Sequence, residues 1–134
     1  IRTKVRSEKK PRLLVIDEAW IMMQSKVAWN FLFQLTKRAR KFGLWVTTIT
    51  QDVEDFLRSE RWKPIVSNAS LQLLLRQSTA SIEWLEKIFW LSEAEKQLLV
   101  AANIWEWLMI AWNQHVWVKI LASQNEKEFI TTDV

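Results

Sequence analysis

Two adjacent carboxylates, Asp17 and Glu18, follow four apolar residues at 13–16 in the stretch RLLVIDEAW. A short continuous apolar run predicts a strand that is buried on both faces, as in a parallel sheet. Ligands of open α/β sheets bind at the carboxyl ends of the strands, where these two acids would lie. There Asp17 would hold Mg²⁺, directly or through water, and Glu18 would polarise a water that attacks a phosphate. The alternative is that the two acids only begin a surface loop.

Gln51 is the second candidate for phosphate chemistry. It follows the segment LWVTTIT at 44–50, which is rich in β-branched residues and predicts the next strand. An amide at the end of a neighbouring strand would reach a γ-phosphate or the attacking water. The alternative is an ordinary helix start, with Thr50 or Asp52 as the N-cap.

Three arginines, Arg38, Arg40 and Arg76, complete the candidate catalytic residues. A guanidinium stabilises charge on a transferring phosphate, within one subunit or across an interface. For Arg38 and Arg40 in KRARKFG, the alternative is a favourable placement of cations at a helix C-terminus. Arg76 closes an apolar stretch and therefore needs a partner. His115 is the only histidine and the chain has no cysteine, so we predict no zinc site and assign His115 to a hairpin.

The elements that position these residues alternate between strand and helix in the first half of the chain. Apolar residues recur at helical spacing from about 24 to 42, and Gly43 stands where a C′ glycine ends a helix. The strand–helix–strand order predicts a parallel sheet with right-handed crossovers. Farther along, Ser92 and Glu95 have the spacing of a capping box. The sequence also predicts a strand at 71–78, helices at 79–89 and 92–101, and a hairpin whose strands lie within 104–111 and 115–122.

The composition is that of one soluble globular domain, with 134 residues of which 49% are hydrophobic and 25% charged. We predict a charged lead-in at 1–12 and a single domain at 13–134. No apolar run is long enough to span a membrane, and no secretory signal opens the chain. The absence of cysteine excludes disulfides and thiolate metal sites. The net charge of +4 is concentrated in the lead-in and at 37–41, where basic residues would attract phosphate backbones or anionic lipid, or simply be solvated.

In this order, the motifs resemble those of the ATPases of conjugative type IV secretion systems, a TraC-like family within the HerA/FtsK group of RecA-like motors. LLVIDEAW is similar to their Walker B motif, KRARKFG contains an R-A-x-x-x-G box, and TTITQDVEDF is similar to their glutamine motif. KPIVSNASLQLLLRQS, LSEAEKQLL and ITTD continue the likeness from about residue 12 to the C-terminus. The resemblance implies an α/β fold, part of a RecA-like P-loop ATPase domain, with a mostly parallel sheet flanked by helices and a C-terminal hairpin.

The resemblance also implies a role for each candidate residue. Asp17 would bind Mg²⁺, Glu18 would be the catalytic base and Gln51 would sense the γ-phosphate of ATP. One of the three arginines named above would be the arginine finger. The implied setting is a cytoplasmic homohexamer on the inner face of the bacterial inner membrane. It would contact other subunits of a secretion machine and energise pilus assembly or conjugative transfer.

One element of such an ATPase is missing from the chain. A G-x-x-x-x-G-K-[ST] loop cradles the β- and γ-phosphates, and a chain whose only glycine is Gly43 cannot contain it. We therefore predict the C-terminal part of a motor domain, beginning just before Walker B and inactive by itself. The P-loop strand lies beside the Walker B strand in RecA-like sheets, so we expect an unpaired, aggregation-prone sheet edge.

Tryptophan is unusually frequent, at ten residues against one glycine. In the family we expect glycine at or near 45, 62, 105, 107 and 112, where this chain has tryptophan, whereas Trp20 fits the family. If the backbone needs positive φ at such a site, tryptophan strains it by about 1–3 kcal/mol. We predict that these tryptophans were introduced by engineering or by an error in the sequence. The alternative is that they stack on nucleic-acid bases or lie at a membrane surface.

Two other functions compete with that of an ATPase fragment. The basic lead-in and exposed aromatic residues would suit a non-catalytic module that binds single-stranded DNA or a membrane surface. Binding to DNA phosphates would weaken steeply as salt rises, whereas an ATPase fragment would show little binding at any salt. A scaffold that docks to partner subunits through an open sheet edge would instead sediment in a concentration-dependent manner.

Overall fold

The computed structural model of the chain describes residues 10–51, 53–57 and 60–126. Most of the predicted lead-in, Asp52 and the ITTD segment lie outside the described residues. The chain divides into two compact units, Ile1–Ser70 and Leu71–Val134. Most of the candidate residues belong to the first unit, and Arg76 belongs to the second.

The first unit is built around two parallel strands. In chain order its elements are β1 (Arg12–Ile16), α1 (Ala19–Gln24), α2 (Lys26–Arg38), a 3₁₀ turn (Ala39–Phe42), β2 (Leu44–Thr48), α3 (Val53–Leu57), a second 3₁₀ turn (Glu60–Trp62) and α4 (Lys63–Asn68). β1 and β2 pair in parallel register, with Ile16 opposite Thr48 at their carboxyl ends. A parallel pair needs a crossover connection, which α1 and α2 supply. The parallel strand–helix–strand unit predicted from the sequence is confirmed.

The segment predicted as one helix at about 24–42 is divided between three elements. Gln24 already ends α1, the chain is extended at Ser25, and α2 is followed by the 3₁₀ turn. The Ser25 hydroxyl caps α2 by accepting a hydrogen bond from the Ala28 amide at 3.4 Å. This local start signal interrupts a helical periodicity that would otherwise continue. Gly43 has a φ of 60° and ends the helical segment, as predicted.

The helices of the first unit share an apolar core. Its buried residues, one from each of the four helices, are Met23, Leu32, Phe56 and Ile65. Complete burial of a leucine such as Leu32 contributes roughly 1.5–3 kcal/mol to stability. Trp20 packs against the same cluster. The core therefore anchors α1, and with it the two residues that connect β1 to α1.

One face of the parallel pair is apolar and exposed. Leu13 and Trp45 are opposite each other in the register and are 66% and 75% exposed, and Val15 is 51% exposed. Because side chains alternate along a strand, these residues lie on the same face. Within the described residues, the sheet of the first unit contains only β1 and β2. Contiguous exposed apolar surface of this kind is typical of a face that other protein covers.

The second unit is a three-stranded antiparallel sheet with two helices. Its elements are β3 (Leu71–Leu74), α5 (Thr79–Phe89), α6 (Glu93–Ala101), β4 (Glu106–Ala111) and β5 (Gln114–Lys119). β4 lies between β3 and β5 and pairs antiparallel with both. The two residues between β4 and β5, Trp112 and Asn113, form the turn of the predicted hairpin.

The predicted α/β class, with a parallel sheet, helices and a C-terminal hairpin, is confirmed. The strand predicted at 71–78 ends at Leu74, and it pairs with the hairpin instead of the parallel strands. Pairing partners are set by tertiary contacts, which the local sequence of a short strand does not specify. Within the described residues, every helix is too short or too polar to cross a bilayer.

The predicted capping box begins α6 and also engages the only histidine. The Ser92 hydroxyl accepts from the Glu95 amide, and Glu95 Oε2 accepts from the Ser92 amide at 2.7 Å. The other carboxylate oxygen of Glu95 lies 2.6 Å from Nδ1 of His115 on β5. Partial burial raises the pKa of Glu95, but the hydrogen bonds from Ser92 and His115 outweigh it, so the pKa is lowered. His115 thus belongs to the hairpin, as predicted, and connects it to α6.

Four non-glycine residues among those described have positive φ, and three of them are tryptophan. They are Glu18 (49°), Trp90 (51°), Trp105 (70°) and Trp112 (54°). Two of the positions where we expected glycine, 105 and 112, therefore have the backbone conformation that glycine favours. Trp90 adds a third that the sequence did not reveal, in the left-handed conformation at the end of α5.

The other three expected glycine positions have ordinary backbone angles. Trp45 lies within β2, Trp107 lies within β4 and Trp62 lies in the second 3₁₀ turn. None of these three is among the described residues with positive φ. Positive φ therefore gives a physical reason to expect glycine at positions 105 and 112. The backbone angles give no such reason at 45, 62 and 107.

Candidate functional site

The carboxyl ends of β1 and β2 bring three of the predicted residues to one edge of the sheet. Asp17 and Glu18 follow Ile16 directly, and Gln51 follows its register partner Thr48 after two intervening residues. Because the strands are parallel, both segments leave the sheet on the same side. Asp17 and Gln51 are exposed and Glu18 is half-buried, so all three side chains have surface that is accessible to a ligand.

Backbone hydrogen bonds from Ile49 join the two segments. The Ile49 amide donates to the Ile16 carbonyl at 2.8 Å, and the Ile49 carbonyl accepts from the Ala19 amide at 2.9 Å. The two bonds lie on either side of Asp17 and Glu18. The connection between β1 and α1 is thus held at both of its ends by a single residue of the neighbouring segment. Ala19 is fully buried, which fixes the start of α1.

Glu18 has a left-handed backbone conformation, with φ 49° and ψ 48°. This conformation costs a non-glycine residue about 1–3 kcal/mol and persists where surrounding contacts impose it. Here the contacts are the Ile49 bonds and a hydrogen bond from the Glu18 amide to Oδ1 of Asp17 at 2.9 Å. Strained residues of this kind are concentrated at functional sites.

The side chain of Glu18 accepts a hydrogen bond from Trp20. The indole Nε1 of Trp20 donates to Oε2 of Glu18 at 2.7 Å, and the contact is partly buried. A hydrogen bond to a carboxylate at this length is of the strong, charge-assisted type. Sequence reasoning assigned no role to Trp20. The signal that could have found it is an indole donor two residues after the acid in DEAW.

Arg38 and Arg40 lie away from this edge. Both are exposed, Arg38 at the end of α2 and Arg40 in the 3₁₀ turn that precedes β2. The chain enters β2 at Leu44, at the opposite end of the strand from Gln51, and a five-residue strand spans about 15 Å. The structure therefore does not bring these arginines together with Asp17 and Glu18. Arg76, also exposed, follows β3 in the second unit.

The acidic residues fit a nucleotide-bound Mg²⁺ better than a metal held by protein alone. In the part of the chain that the structure describes, no group of three or more His, Asp or Glu side chains could enclose a metal ion. Mg²⁺ commonly takes one or two carboxylates and completes its octahedron with phosphates and waters. Asp17 offers one exposed carboxylate at the sheet edge, which suits that mode of binding.

Comparisons with known proteins agree on one family. The family described as the TraG P-loop domain matches residues 1–131. Among solved structures, the chain is similar to VirB4 of Thermoanaerobacter pseudethanolicus, with 33% sequence identity and a TM-score of 0.80. That match covers 93% of this chain and 35% of VirB4, so the chain spans about a third of that protein's length. No curated protein sequence matches the chain.

Proposed function

The chain belongs to the TraG P-loop domain family, as its resemblance predicted, and we propose on that basis that it is the Walker B part of a type IV secretion ATPase. The observation that carries the proposal is the common sheet edge of Asp17, Glu18 and Gln51, held together by Ile49. An acid pair and an amide at the ends of adjacent parallel strands suit the binding and hydrolysis of a nucleotide.

Each of the three residues has a separate task in this proposal. Asp17, which is exposed, holds Mg²⁺ directly or through a water. Glu18 accepts a proton from the attacking water, for which a carboxylate within hydrogen-bond reach is required. Gln51 hydrogen-bonds the γ-phosphate or that water. When bound with ATP, Mg²⁺ neutralises charge on the β- and γ-phosphates.

The phosphate-binding loop must come from elsewhere, because these 134 residues contain no G-x-x-x-x-G-K-[ST] sequence. We propose that another segment of the parent protein supplies it and that the present chain alone does not turn over ATP. The parent would be a homohexamer on the cytoplasmic face of the inner membrane, in contact with other secretion subunits. Arg38 and Arg40 lie near the end of β2 that is farthest from Gln51. In this proposal, an arginine finger from this pair would therefore act on the nucleotide of a neighbouring subunit. Arg76 is the alternative arginine finger.

The test is ATP turnover by the full-length protein and by its Glu18→Gln variant. Removing a general base typically lowers the rate by about 100-fold or more, so Glu18→Gln should lose nearly all turnover with little change in ATP binding. Glu83→Gln is the matched control, because Glu83 is an exposed glutamate on α5 in the other unit. A Glu18→Gln variant as active as the Glu83→Gln variant would refute the role of Glu18.

Binding to nucleic acid or to a membrane surface is the second candidate function. It is supported by the exposure of four basic residues at the end of α2 and in the following 3₁₀ turn, Lys37, Arg38, Arg40 and Lys41. Titration with single-stranded DNA at low and high salt tests it, because backbone binding weakens steeply with salt. Absence of binding at low salt would exclude the nucleic-acid function.

A further inference from the structure

We propose that Trp20 is a positioning residue for Glu18. Its indole N–H holds one carboxylate oxygen, Oε2, so that the other, Oε1, is fixed in direction for the attacking water. This proposal rests on the proposed function of Glu18 as the catalytic base. It assigns a catalytic contribution to a further residue of the DEAW stretch, Trp20, which would act only through the Glu18 carboxylate.

The geometry gives Trp20 a rigid frame from which to hold a flexible side chain. Trp20 lies in the first turn of α1 and packs against the buried cluster of Met23, Leu32, Phe56 and Ile65. Glutamate has three rotatable side-chain bonds, and a catalytic group that is free to rotate loses the benefit of orientation. The 2.7 Å hydrogen bond between Nε1 and Oε2 removes that freedom.

A purely structural role for Trp20 makes a different prediction. A half-buried indole needs a partner for its N–H, and Glu18 would then serve only to satisfy it. Under that interpretation, the aromatic ring is what matters and phenylalanine would replace it with little effect on catalysis. Under the positioning interpretation, the loss of the N–H alone impairs the chemical step.

The experiment compares four forms of the full-length protein: wild type, Trp20→Phe, Glu18→Gln and the double variant. We expect Trp20→Phe to lower kcat about tenfold, the equivalent of one charge-assisted hydrogen bond, with KM for ATP and the melting temperature nearly unchanged. We expect the double variant to be no slower than Glu18→Gln, because Trp20 acts through Glu18. Trp29→Phe is the matched control, since Trp29 packs on the same core from α2.

Each outcome is decisive. A kcat for Trp20→Phe within twofold of wild type, or a fall equal to that of Trp29→Phe, overturns the positioning role while leaving the proposed function intact. Independent, multiplicative effects of Trp20→Phe and Glu18→Gln overturn it as well. If Glu18→Gln keeps full turnover, the proposed role of Glu18 as the base is refuted, and the positioning role of Trp20 is refuted with it.

A separate observation, the backbone angles, concerns other tryptophans. We infer that glycine occupies positions 90, 105 and 112 in the protein as its own cell makes it. All three have positive φ. Trp90 follows the last residue of α5, and Trp112 is the first of two hairpin-loop residues; both places favour glycine. Trp90 and Trp112 are 86% and 83% exposed, so burial of the indole offers little compensation.

A single difference in decoding would produce this pattern. The codon UGA is read as tryptophan in some genetic codes and as glycine in others, whereas UGG encodes tryptophan in both. Reading UGA as glycine would replace tryptophan by glycine at every UGA position and leave the UGG positions as tryptophan. Trp20, whose indole is hydrogen-bonded, should be a UGG tryptophan. The exchange would not create a P-loop, because no tryptophan in the chain precedes Lys-Ser or Lys-Thr.

The test is peptide mapping by mass spectrometry of the protein purified from its source cells, together with the codons of its gene. We expect UGA and glycine at 90, 105 and 112, and UGG and tryptophan at Trp20. Peptides with tryptophan at the three positions would overturn the inference. UGG codons there would do the same.

Discussion

Replacing Trp112 by glycine should stabilise the second unit. Trp112 has a φ of 54° and is the first of the two loop residues of the hairpin, a place where glycine is favoured. A left-handed conformation costs a residue with a Cβ about 1–2 kcal/mol, and the greater chain entropy of glycine returns roughly 0.5–1 kcal/mol. Because the indole is 83% exposed, little burial is lost. The net gain should be about 1 kcal/mol or slightly less.

Thermal unfolding followed by circular dichroism measures this gain. For a chain of this size, 1 kcal/mol corresponds to a shift of roughly 4 °C in the melting temperature. Trp112→Ala is the first control: alanine also has a Cβ, so it should keep the strain and give no comparable gain. Trp84→Gly is the second, because Trp84 lies within α5, where glycine should cost about 1 kcal/mol. Equal stabilisation by Trp112→Ala and Trp112→Gly would refute the backbone argument and assign the effect to the ring.

Two further predictions concern the charges of the second unit. Lys119 Nζ, 2.8 Å from the Glu106 carboxylate, and the amide of Asn103 lower the pKa of Glu106 from 4.5 to about 2. The ionised Glu106 therefore stabilises the folded state above pH 4.5, and this contribution is lost as pH falls toward 2. The stability difference between wild type and Glu106→Gln, measured by urea unfolding, should therefore narrow from pH 5 to pH 2; a constant difference would contradict this. Ser92→Ala should lower the unfolding free energy by about 1 kcal/mol through loss of the cap and raise the pKa of Glu95, which an NMR titration detects; an unchanged pKa would show that His115 alone sets it.

Features specified by neighbouring residues were predictable from the sequence. The apolar run before Asp17 predicted β1, the spacing of Ser92 and Glu95 predicted the cap of α6, and Gly43 predicted the end of the helical segment. Each of these signals depends on residues within about four positions of one another, so the local sequence contains all the information required. The edge position of Gln51 was also predictable, because parallel strands end on the same side.

Features that depend on tertiary contacts were not predictable in the same way. The left-handed backbone of Glu18 is imposed by bonds to Ile49, which lies far along the chain and across the sheet. The sequence DEAW offers an indole donor two residues after the acid, but the hydrogen bond from Trp20 to Glu18 is seen only in the folded chain. The pairing of β3 with β4 likewise joins segments separated by both helices of the second unit.

The two hydrogen bonds of Ile49 have a consequence for communication within the site. They are made by the main chain, so any displacement of this residue alters the geometry on both sides of the acid pair at once. Gln51, only two residues farther on, is thereby mechanically coupled to Glu18 through the backbone. If Gln51 and Glu18 have the roles proposed above, a change of nucleotide state at Gln51 would reach Glu18 as a shift of the backbone. Most side-chain replacements at Ile49 would leave that relay intact, whereas proline, which has no amide hydrogen, would interrupt it.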